Sequence, residues 1–248
     1  MNQIYKLNAE VMKYYRSMLE KKGKEAKAFL NGIDIDEETI DYFNLGYSGT
    51  DLYGLVYHFN ALGFEDDLIV ESGLADFDET NGIEDVFHNR LIIPVIDDEN
   101  KVIGFSGRTL DNESPIYLNS HKSLVFDKNK SFFGLNRAKD SKAGYLILCE
   151  GFFDVISLHQ AGFDMAIANL GTKLTKNQAN ILKKYTDKVY VCYDTDNTGI
   201  KAADNAIDVL ENAGVKGKII DLSPYKDPQE FVKKEGAKAF ERLLKNNK

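Results

Sequence analysis

The chain has 248 residues, of which 43% are hydrophobic and 28% charged, and its formal net charge is -8. These values are typical of one large or two small globular domains. Apolar runs such as residues 91–96 and 145–149 are much shorter than the ~20 residues of a bilayer span, and none follows the N-terminus, so we expect neither a transmembrane helix nor a signal peptide.

The cysteine content and the charge distribution narrow the class of protein further. Cys149 and Cys192 both lie in strand-like runs, which predicts buried, reduced thiols in a cytoplasmic protein and no disulfide framework. Four histidines without a CxxC pair make a Cys/His zinc site unexpected. Residues 1–88 hold 7 basic and 18 acidic side chains, whereas the rest of the chain is balanced and has room for a basic groove.

The first part of the chain is predicted to be helical and then to form a hairpin. Apolar residues recur every three or four positions from Ile4 to Leu19, which predicts an amphipathic helix that ends at Gly23. Shorter helical patterns cover residues 26–30, 37–43 and 52–62. The apolar runs 91–96 and 102–105 flank a polar turn, which indicates a β-hairpin, and Pro94 places its strand at an edge or a bulge because proline lacks an N–H.

From residue 145 onwards, strand and helix patterns alternate. Strands are predicted at 145–149, 165–168, 189–193 and 218–222, and helices at 155–161, 176–185, 200–212 and 229–244. Such alternation predicts a mostly parallel sheet flanked by helices. We therefore expect an α/β protein in which an α+β N-terminal lobe, residues 1–142, precedes an α/β domain, residues 143–248.

Carboxylates follow three of these predicted strands: Glu150 with Asp154 after the first, Asp194 with Asp196 after the third, and Asp227 after the fourth. In open α/β sheets, ligands bind at the C-terminal ends of the strands. Carboxylates gathered there repel each other unless a cation neutralises them, and their hard oxygen atoms suit Mg²⁺ or Mn²⁺. The pattern predicts a divalent-cation site that faces a phosphorylated substrate.

Two other interpretations of these residues remain open at this point. An Asp directly after a strand is often a helix N-cap, which would account for Asp194 or Asp227 taken singly. The run from Asp194 to Thr198 is also similar to the nucleophile motif of haloacid-dehalogenase-type phosphatases. That motif usually lies on the first strand of its domain, and here it lies on the third.

Seven segments in order carry a resemblance to a known family. The segments are Glu150-Gly151-Phe152-Phe153-Asp154, Asn169-Leu170-Gly171-Thr172 and Asp194-x-Asp196-x-x-Gly199, preceded by residues 89–94, 102–108, 117–120 and 126–135. The first three resemble the Toprim domain of primases, topoisomerases and some nucleases. The preceding segments look like the lobe before Toprim in bacterial DnaG-type primases.

The resemblance implies a DNA-dependent RNA polymerase that makes short primers for replication from NTPs on a single-stranded DNA template. It implies Glu150, Asp194 and Asp196 as ligands of two or more Mg²⁺ or Mn²⁺ ions, with Asp154 and Asp227 in support. The residues expected to bind nucleotide, template or RNA primer are Arg90, Arg108, Tyr117, Asn119, Lys128, Gly171 and Thr172. The residues themselves leave alternatives to these binding roles. These are an ion pair for either arginine, a core position for Tyr117, a solvated turn at Lys128 and a tight turn at Gly171.

The sequence also departs from the family's pattern. Ile116 stands in place of a lysine, Asn31-Gly32 in place of a basic residue, and Gln229 in place of a second aspartate. The family's zinc-ribbon and helicase-binding domains are not in this sequence, so we expect contact with a replicative helicase only through such a missing domain. We expect either an excised core or a diverged protein of a mobile element, monomeric and without a membrane partner. A Toprim-type nuclease and a weakened single-stranded-DNA-binding module are the alternative functions.

Overall fold

The structure is a computed structural model that describes residues 1–80, 82–111, 113–171 and 173–247. The chain divides into two compact units, residues 1–127 and 128–248. Within the described ranges, no helix is long and apolar enough to cross a membrane.

The first unit combines short helices with antiparallel strands. Its helices are α1 (Asn2–Lys22), α2 (Lys24–Gly32), α3 (Glu37–Tyr42), α4 (Gly54–Ala61) and α5 (Asp66–Glu71). Its strands are β1 (Gly46–Tyr47), β2 (Ala75–Asp78), β3 (Gly82–Asp85), β4 (Arg90–Ile96), β5 (Val102–Thr109) and β6 (Tyr117–Asn119). One sheet has the antiparallel order β1–β4–β5–β6, and β2 pairs with β3 in a separate hairpin.

Helix α1 has the predicted amphipathic pattern. Its apolar face, which includes Leu7, Val11 and Tyr15, is buried against aromatic residues such as Phe59 and Phe105 in the core of the unit. The helix ends at Gly23, as predicted, where the Gly23 N–H donates to the Leu19 carbonyl at 3.1 Å. Burial of this face is the main contribution of α1 to the stability of the unit.

The predicted hairpin is strands β4 and β5. β1 pairs with Leu91 and Ile92 of β4 and stops before Pro94, so the missing N–H of Pro94 costs no pairing to β1. The register shifts between Val95 and Ile96, next to the proline. Helix α5 and the β2–β3 hairpin were not predicted, because residues 66–85 are rich in acidic side chains that obscure their periodicity.

The second unit has the predicted alternation of strands and helices. Its strands are β7 (Phe132–Phe133), β8 (Leu146–Cys149), β9 (Ala166–Asn169), β10 (Lys188–Cys192) and β11 (Lys216–Ile219). Its helices are α6 (Leu135–Ala138), α7 (Phe152–Gln160), α8 (Lys176–Leu182), α9 (Asn197–Asn212), α10 (Pro228–Glu235) and α11 (Ala237–Asn246). The strand order is β11–β10–β8–β9–β7, parallel except for β7, so the prediction of a mostly parallel sheet is confirmed.

One helix of this unit differs from the sequence expectation. The predicted helix over residues 229–244 is two helices, α10 and α11, because Gly236 adopts a positive φ of 81° that ends the first. Residues 128–142 lie in the second unit, where the short strand β7 pairs with β9. The division into two domains after residue 142 stays a prediction.

Candidate metal and nucleotide site

The parallel register brings the ends of two neighbouring strands together. Cys149 of β8 lies opposite Cys192 of β10, so the residues that follow these strands leave the sheet side by side. The Asp194 backbone N–H donates to the Glu150 carboxylate. Glu150 and Asp194, which the sequence placed after separate strands, are therefore direct neighbours.

Glu150 carries an incompletely satisfied carboxylate. The side chain is partly buried, and its Oε2 atom is buried without a hydrogen-bond partner. Burial is the main factor that raises the Glu150 pKa, followed by the negative charge of Asp194, with a further contribution from Asp196. A buried, unpartnered carboxylate oxygen among other acids is costly, and a cation bound there would relieve that cost.

Lys226 lies between two of the acids. Its Nζ atom is 3.6 Å from Asp194 Oδ2 and 3.5 Å from Asp227 Oδ2, while the Lys226 side chain remains 67% exposed. Burial raises the pKa of Asp194, Lys226 opposes that shift, and the carboxylates of Asp227 and Asp196 add to it. The ammonium group thus offsets part of the negative charge at the strand ends.

Asp196 and Asp227 each cap a helix. Asp196 Oδ1 accepts the N–H groups of Thr198 at 2.9 Å and Gly199 at 2.7 Å at the start of α9. Asp227 Oδ1 accepts the Glu230 N–H at 2.7 Å at the start of α10. In both cases Oδ1 makes the cap, so capping and a role for the second oxygen are compatible. Asp194 is not a cap; it precedes the α9 cap by two residues.

Asp154 is turned toward the backbone. It is buried in the first turn of α7, where its Oδ2 accepts the Gly151 N–H at 3.0 Å, and the Gln229 N–H also donates to it. Burial, together with the charges of Asp227 and Asp194, raises its pKa to about 8. A Cβ atom at Gly151 would lie 2.9 Å from the same Oδ2, which explains the glycine between Glu150 and Asp154.

The divalent cation that the sequence implies would have to be held by these carboxylates. As placed, no three Asp, Glu, His or Cys side chains among the described residues are close enough to hold one ion. The donor chemistry fits a hard cation, because the available ligand atoms are carboxylate oxygens. One of them, Glu150 Oε2, is buried without a hydrogen-bond partner. Sequence reasoning missed Lys226, although its position directly before Asp227 was a signal.

The remaining expected site residues of the second unit lie in loops. Lys128 is exposed, and its carbonyl accepts a hydrogen bond from Gln178 Nε2 at 3.2 Å. Gly171 is exposed after β9, and its carbonyl accepts from Asn169 Nδ2. Thr172 lies outside the described residues. The helix that follows, α8, is capped by Thr175, whose Oγ1 accepts the Gln178 N–H at 3.1 Å.

In the first unit, the two expected arginines contact different partners. Arg90 is buried, and its Nη1 atom donates to the carbonyls of Gly107 at 3.2 Å and Pro115 at 3.0 Å. Burial lowers its pKa. The Arg108 guanidinium lies 4.0 Å from the centre of the Phe29 ring. Their phosphate-binding roles stay predictions.

Strand β6 carries the other two expected residues of this unit. Tyr117 is 40% exposed, which leaves ring surface available to a base. Asn119 is partly buried at the end of the strand. Ile116, which replaces the family's lysine, is also 40% exposed.

Comparisons with known proteins agree with these features. Residues 13–139 match the family described as DNA primase catalytic core, N-terminal domain, and residues 147–232 match the Toprim-like family. The chain is 40% identical over 246 residues to the DNA primase of Clostridium acetobutylicum and 38% identical over 250 residues to that of Aquifex aeolicus. Both alignments span 99% of this chain, but only 41% of the first relative and 49% of the second.

Solved structures with the same fold are also primases. The Aquifex aeolicus primase, comprising its zinc-binding and RNA polymerase domains, superposes with a TM-score of 0.91 at 36% identity, over 98% of this chain and 60% of that one. A DnaG primase catalytic domain bound to single-stranded DNA gives a TM-score of 0.89 at 29% identity, over 99% and 78%. The first family profile covers half of the sequence, and the order of the motifs agrees with it. The chain therefore belongs to the DNA primase catalytic core family.

Proposed function

We propose that this chain is the catalytic part of a DNA primase, a nucleotidyltransferase that synthesises short RNA primers on single-stranded DNA during replication. The observation that carries the proposal is the pair Glu150 and Asp194 at adjacent strand ends, with the buried Glu150 Oε2 left without a partner. Membership of the primase core family supports it. The chain spans half or less of the curated relatives it matches, so the activity of a whole primase is part of the proposal.

Glu150, Asp194 and Asp196 are the residues that would hold divalent cations, and Asp154 and Asp227 would support them. The ions proposed are Mg²⁺ or Mn²⁺, two or more. When bound, such ions activate the attacking 3′-oxygen and neutralise charge on the phosphates of the incoming nucleotide. The Toprim-like and primase families use divalent metal ions in general.

The protein's own groups set the orientation of this site. The Asp194 N–H fixes one side of the Glu150 carboxylate, and the two helix caps at Asp196 and Asp227 fix the directions of those acids. Lys226 holds a positive charge beside Asp194, where it would also meet a triphosphate. Nucleotide, template or primer would contact the expected set: Arg90, Arg108, Tyr117, Asn119, Lys128, Gly171 and Thr172.

The proposed partners follow from the relatives. A catalytic domain with this fold is known bound to single-stranded DNA, which supports a DNA template here. NTPs and the RNA primer complete the reaction. A replicative helicase would be reached through a domain outside this sequence, and we propose a monomer in the cytoplasm, with residues 1–142 and 143–248 as its two domains.

A primer-synthesis assay tests the proposal. The protein is incubated with single-stranded DNA, NTPs and Mn²⁺, and the labelled products are separated by length. The wild type and an Asp204→Ala control, altered at an exposed residue of α9, are expected to make primers. Asp194→Ala is expected to reduce the product at least about 100-fold, as loss of a preorganised charge at a reacting centre does.

Two results would overturn the proposal. Equal product from the wild type and Asp194→Ala would separate Asp194 from the reaction. Shortened DNA strands in the absence of NTPs, with no primers in their presence, would identify a Toprim-type nuclease.

A further inference from the structure

The first unit contains a cavity with aromatic walls that the proposed site residues do not use. Its volume is about 560 Å³, within the ~300–1,000 Å³ range of small-molecule sites. The lining comes from α1, from the loop after β1 and from α4. The aromatic rings in the wall are Tyr14, Tyr47, Tyr57 and His58.

The rings differ in how much of their surface is covered. The Tyr14 ring stacks on His58 with centroids 4.6 Å apart and an interplanar angle of 30°, and Phe59 packs edge-on against it from the core at 5.8 Å. Tyr57, in contrast, is 66% exposed, although the centroid of the Tyr53 ring lies 5.7 Å from that of the Tyr57 ring. A large exposed ring beside a stacked pair offers a face on which another flat, aromatic group can stack.

The polar groups of the cavity favour a nucleotide as the occupant. Lys22 is among the lining residues and supplies a positive charge for a phosphate. Asp51 accepts the Tyr53 N–H at 3.0 Å through Oδ1, and its carboxylate is also an acceptor for an amino group on a base. The backbone of Ser48 and Gly49 lines the same cavity.

A lysine-rich groove shares the lining residue Lys22 with this cavity. Lys22 also lines a second cavity of about 450 Å³, together with Lys21, Lys24 and Lys27 at the junction of α1 and α2. The seven basic side chains of residues 1–88 all lie in these two helices, and four of them line this groove. Glu20 also lines the groove and Lys27 lies 3.7 Å from Glu37, but the four lysines outnumber the one acidic lining residue.

We propose that the aromatic cavity binds a base of single-stranded DNA on the ring of Tyr57, with Lys22 and the adjoining lysines on neighbouring phosphates. Successive aromatic and cationic contacts are how single strands are bound without sequence preference. The inference rests on the proposed primase function, since it adds a template contact away from Glu150 and Asp194.

The chain has no tryptophan, so Tyr57→Trp would give a single fluorescent reporter in the cavity. Addition of a 16-nucleotide oligodeoxythymidine at low salt is expected to quench its emission, because a stacked base quenches the indole. Thymidine monophosphate at the same nucleotide concentration is expected to leave it unchanged. Quenching by the mononucleotide to the same extent would overturn the proposal in favour of a free-nucleotide site.

The second experiment measures the affinity of each variant for the oligonucleotide by fluorescence anisotropy of the labelled strand. Tyr57→Ala is expected to weaken binding at least about fivefold and Tyr57→Phe to preserve it, as expected for the loss of one stacked base. Phe77→Ala, at a 70% exposed aromatic residue on β2, is the matched control. Lys22→Gln is expected to lower the salt slope by about 0.7, whereas Lys13→Gln, also exposed on α1, is not.

The possible failures are distinguishable. If the wild type binds the oligonucleotide and Tyr57→Ala binds it equally well, the stacking proposal is overturned and the primase function stands. If the wild type neither binds single strands nor makes primers, both are overturned.

Discussion

Gly199 packs directly against the backbone of Asp194. A Cβ atom added at Gly199 would lie 2.8 Å from the carbonyl carbon of Asp194 and 3.0 Å from its Cβ, closer than real side chains approach. The Gly199 N–H also donates to the Asp196 cap at 2.7 Å. The glycine in the Asp-x-Asp-x-x-Gly motif is therefore what allows α9 to begin this close to the proposed metal ligands.

We expect Gly199→Ala to destabilise the protein by about 1–3 kcal/mol, because the added methyl group has no room unless α9 moves. Urea unfolding would measure the change. Gly32→Ala is the matched control, since a Cβ there meets nothing within 4 Å and the residue ends α2. Equal stability of the two variants would show that α9 adjusts at no cost.

The stability of the protein is expected to depend on pH through Asp85. This buried residue of β3 lies against the start of α4, where its carboxylate accepts the N–H groups of Leu55 at 2.7 Å and Val56 at 3.0 Å. Burial raises its pKa from 3.8 to about 6 despite these bonds. The folded state therefore binds a proton more tightly than the unfolded state, so this contribution is present at low pH and is lost as the pH rises from about 4 to about 6.

The measurement compares the unfolding free energies of the wild type and Asp85→Asn across this pH range. The difference between the two proteins is expected to change by up to about 3 kcal/mol between pH 4 and pH 7. Parallel pH curves would show that Asp85 has the same pKa in the folded and unfolded states.

Lys226→Met is expected to tighten the binding of Mn²⁺. The Lys226 ammonium lies 3.5–3.6 Å from two of the acids that would attract the ion, and its removal leaves their charge uncompensated. Calorimetric titration should show affinity higher by at least about fivefold, since a unit charge at about 4 Å contributes about 1 kcal/mol even in water.

Lys234→Met is the control for that titration. Lys234 lies on α10 and pairs with Glu230 at 2.6 Å, but it does not pair with Asp194 or Asp227. Weaker or unchanged Mn²⁺ affinity in Lys226→Met would mean that the ion does not bind at these acids.

Ile116→Lys restores a charge that the family has and this chain lacks. Its carbonyl accepts the Thr109 N–H at 2.9 Å, and its side chain is 40% exposed, so the substitution adds a charge at an anchored surface position. Binding of single-stranded DNA is expected to tighten, and its salt slope to steepen by about 0.7 for one added phosphate contact.

Leu124→Lys adds the same charge at a 71% exposed position of the same unit and serves as the control. An equal slope change in both variants would show a general effect of net charge and no contact at residue 116.

Periodicity in the sequence was sufficient to predict α1, the β4–β5 hairpin and the parallel sheet, since each buries a long or regular apolar pattern. It was insufficient for β7, which has two residues, and for the break at Gly236, where apolar periodicity continues across the turn. In both cases tertiary packing determines the element and leaves little local signal.

The neighbouring positions of Glu150 and Asp194 follow from two strand ends, which a sequence can show. Side-chain direction does not follow in the same way. Asp154 turns to the Gly151 N–H, and Arg90 donates to carbonyls across its sheet, because packing left those groups as their nearest partners. Lys226 is a partner of Asp194 because of the tertiary position of the loop before α10.

A crystal structure of the protein soaked in Mn²⁺, with anomalous difference density, would show whether Glu150 and Asp194 hold a metal ion. A peak is expected within about 2.5 Å of carboxylate oxygens of both Glu150 and Asp194. Lys226 would then have moved away from Asp194. An empty site after the soak, with Lys226 still paired to Asp194 and Asp227, would contradict the account.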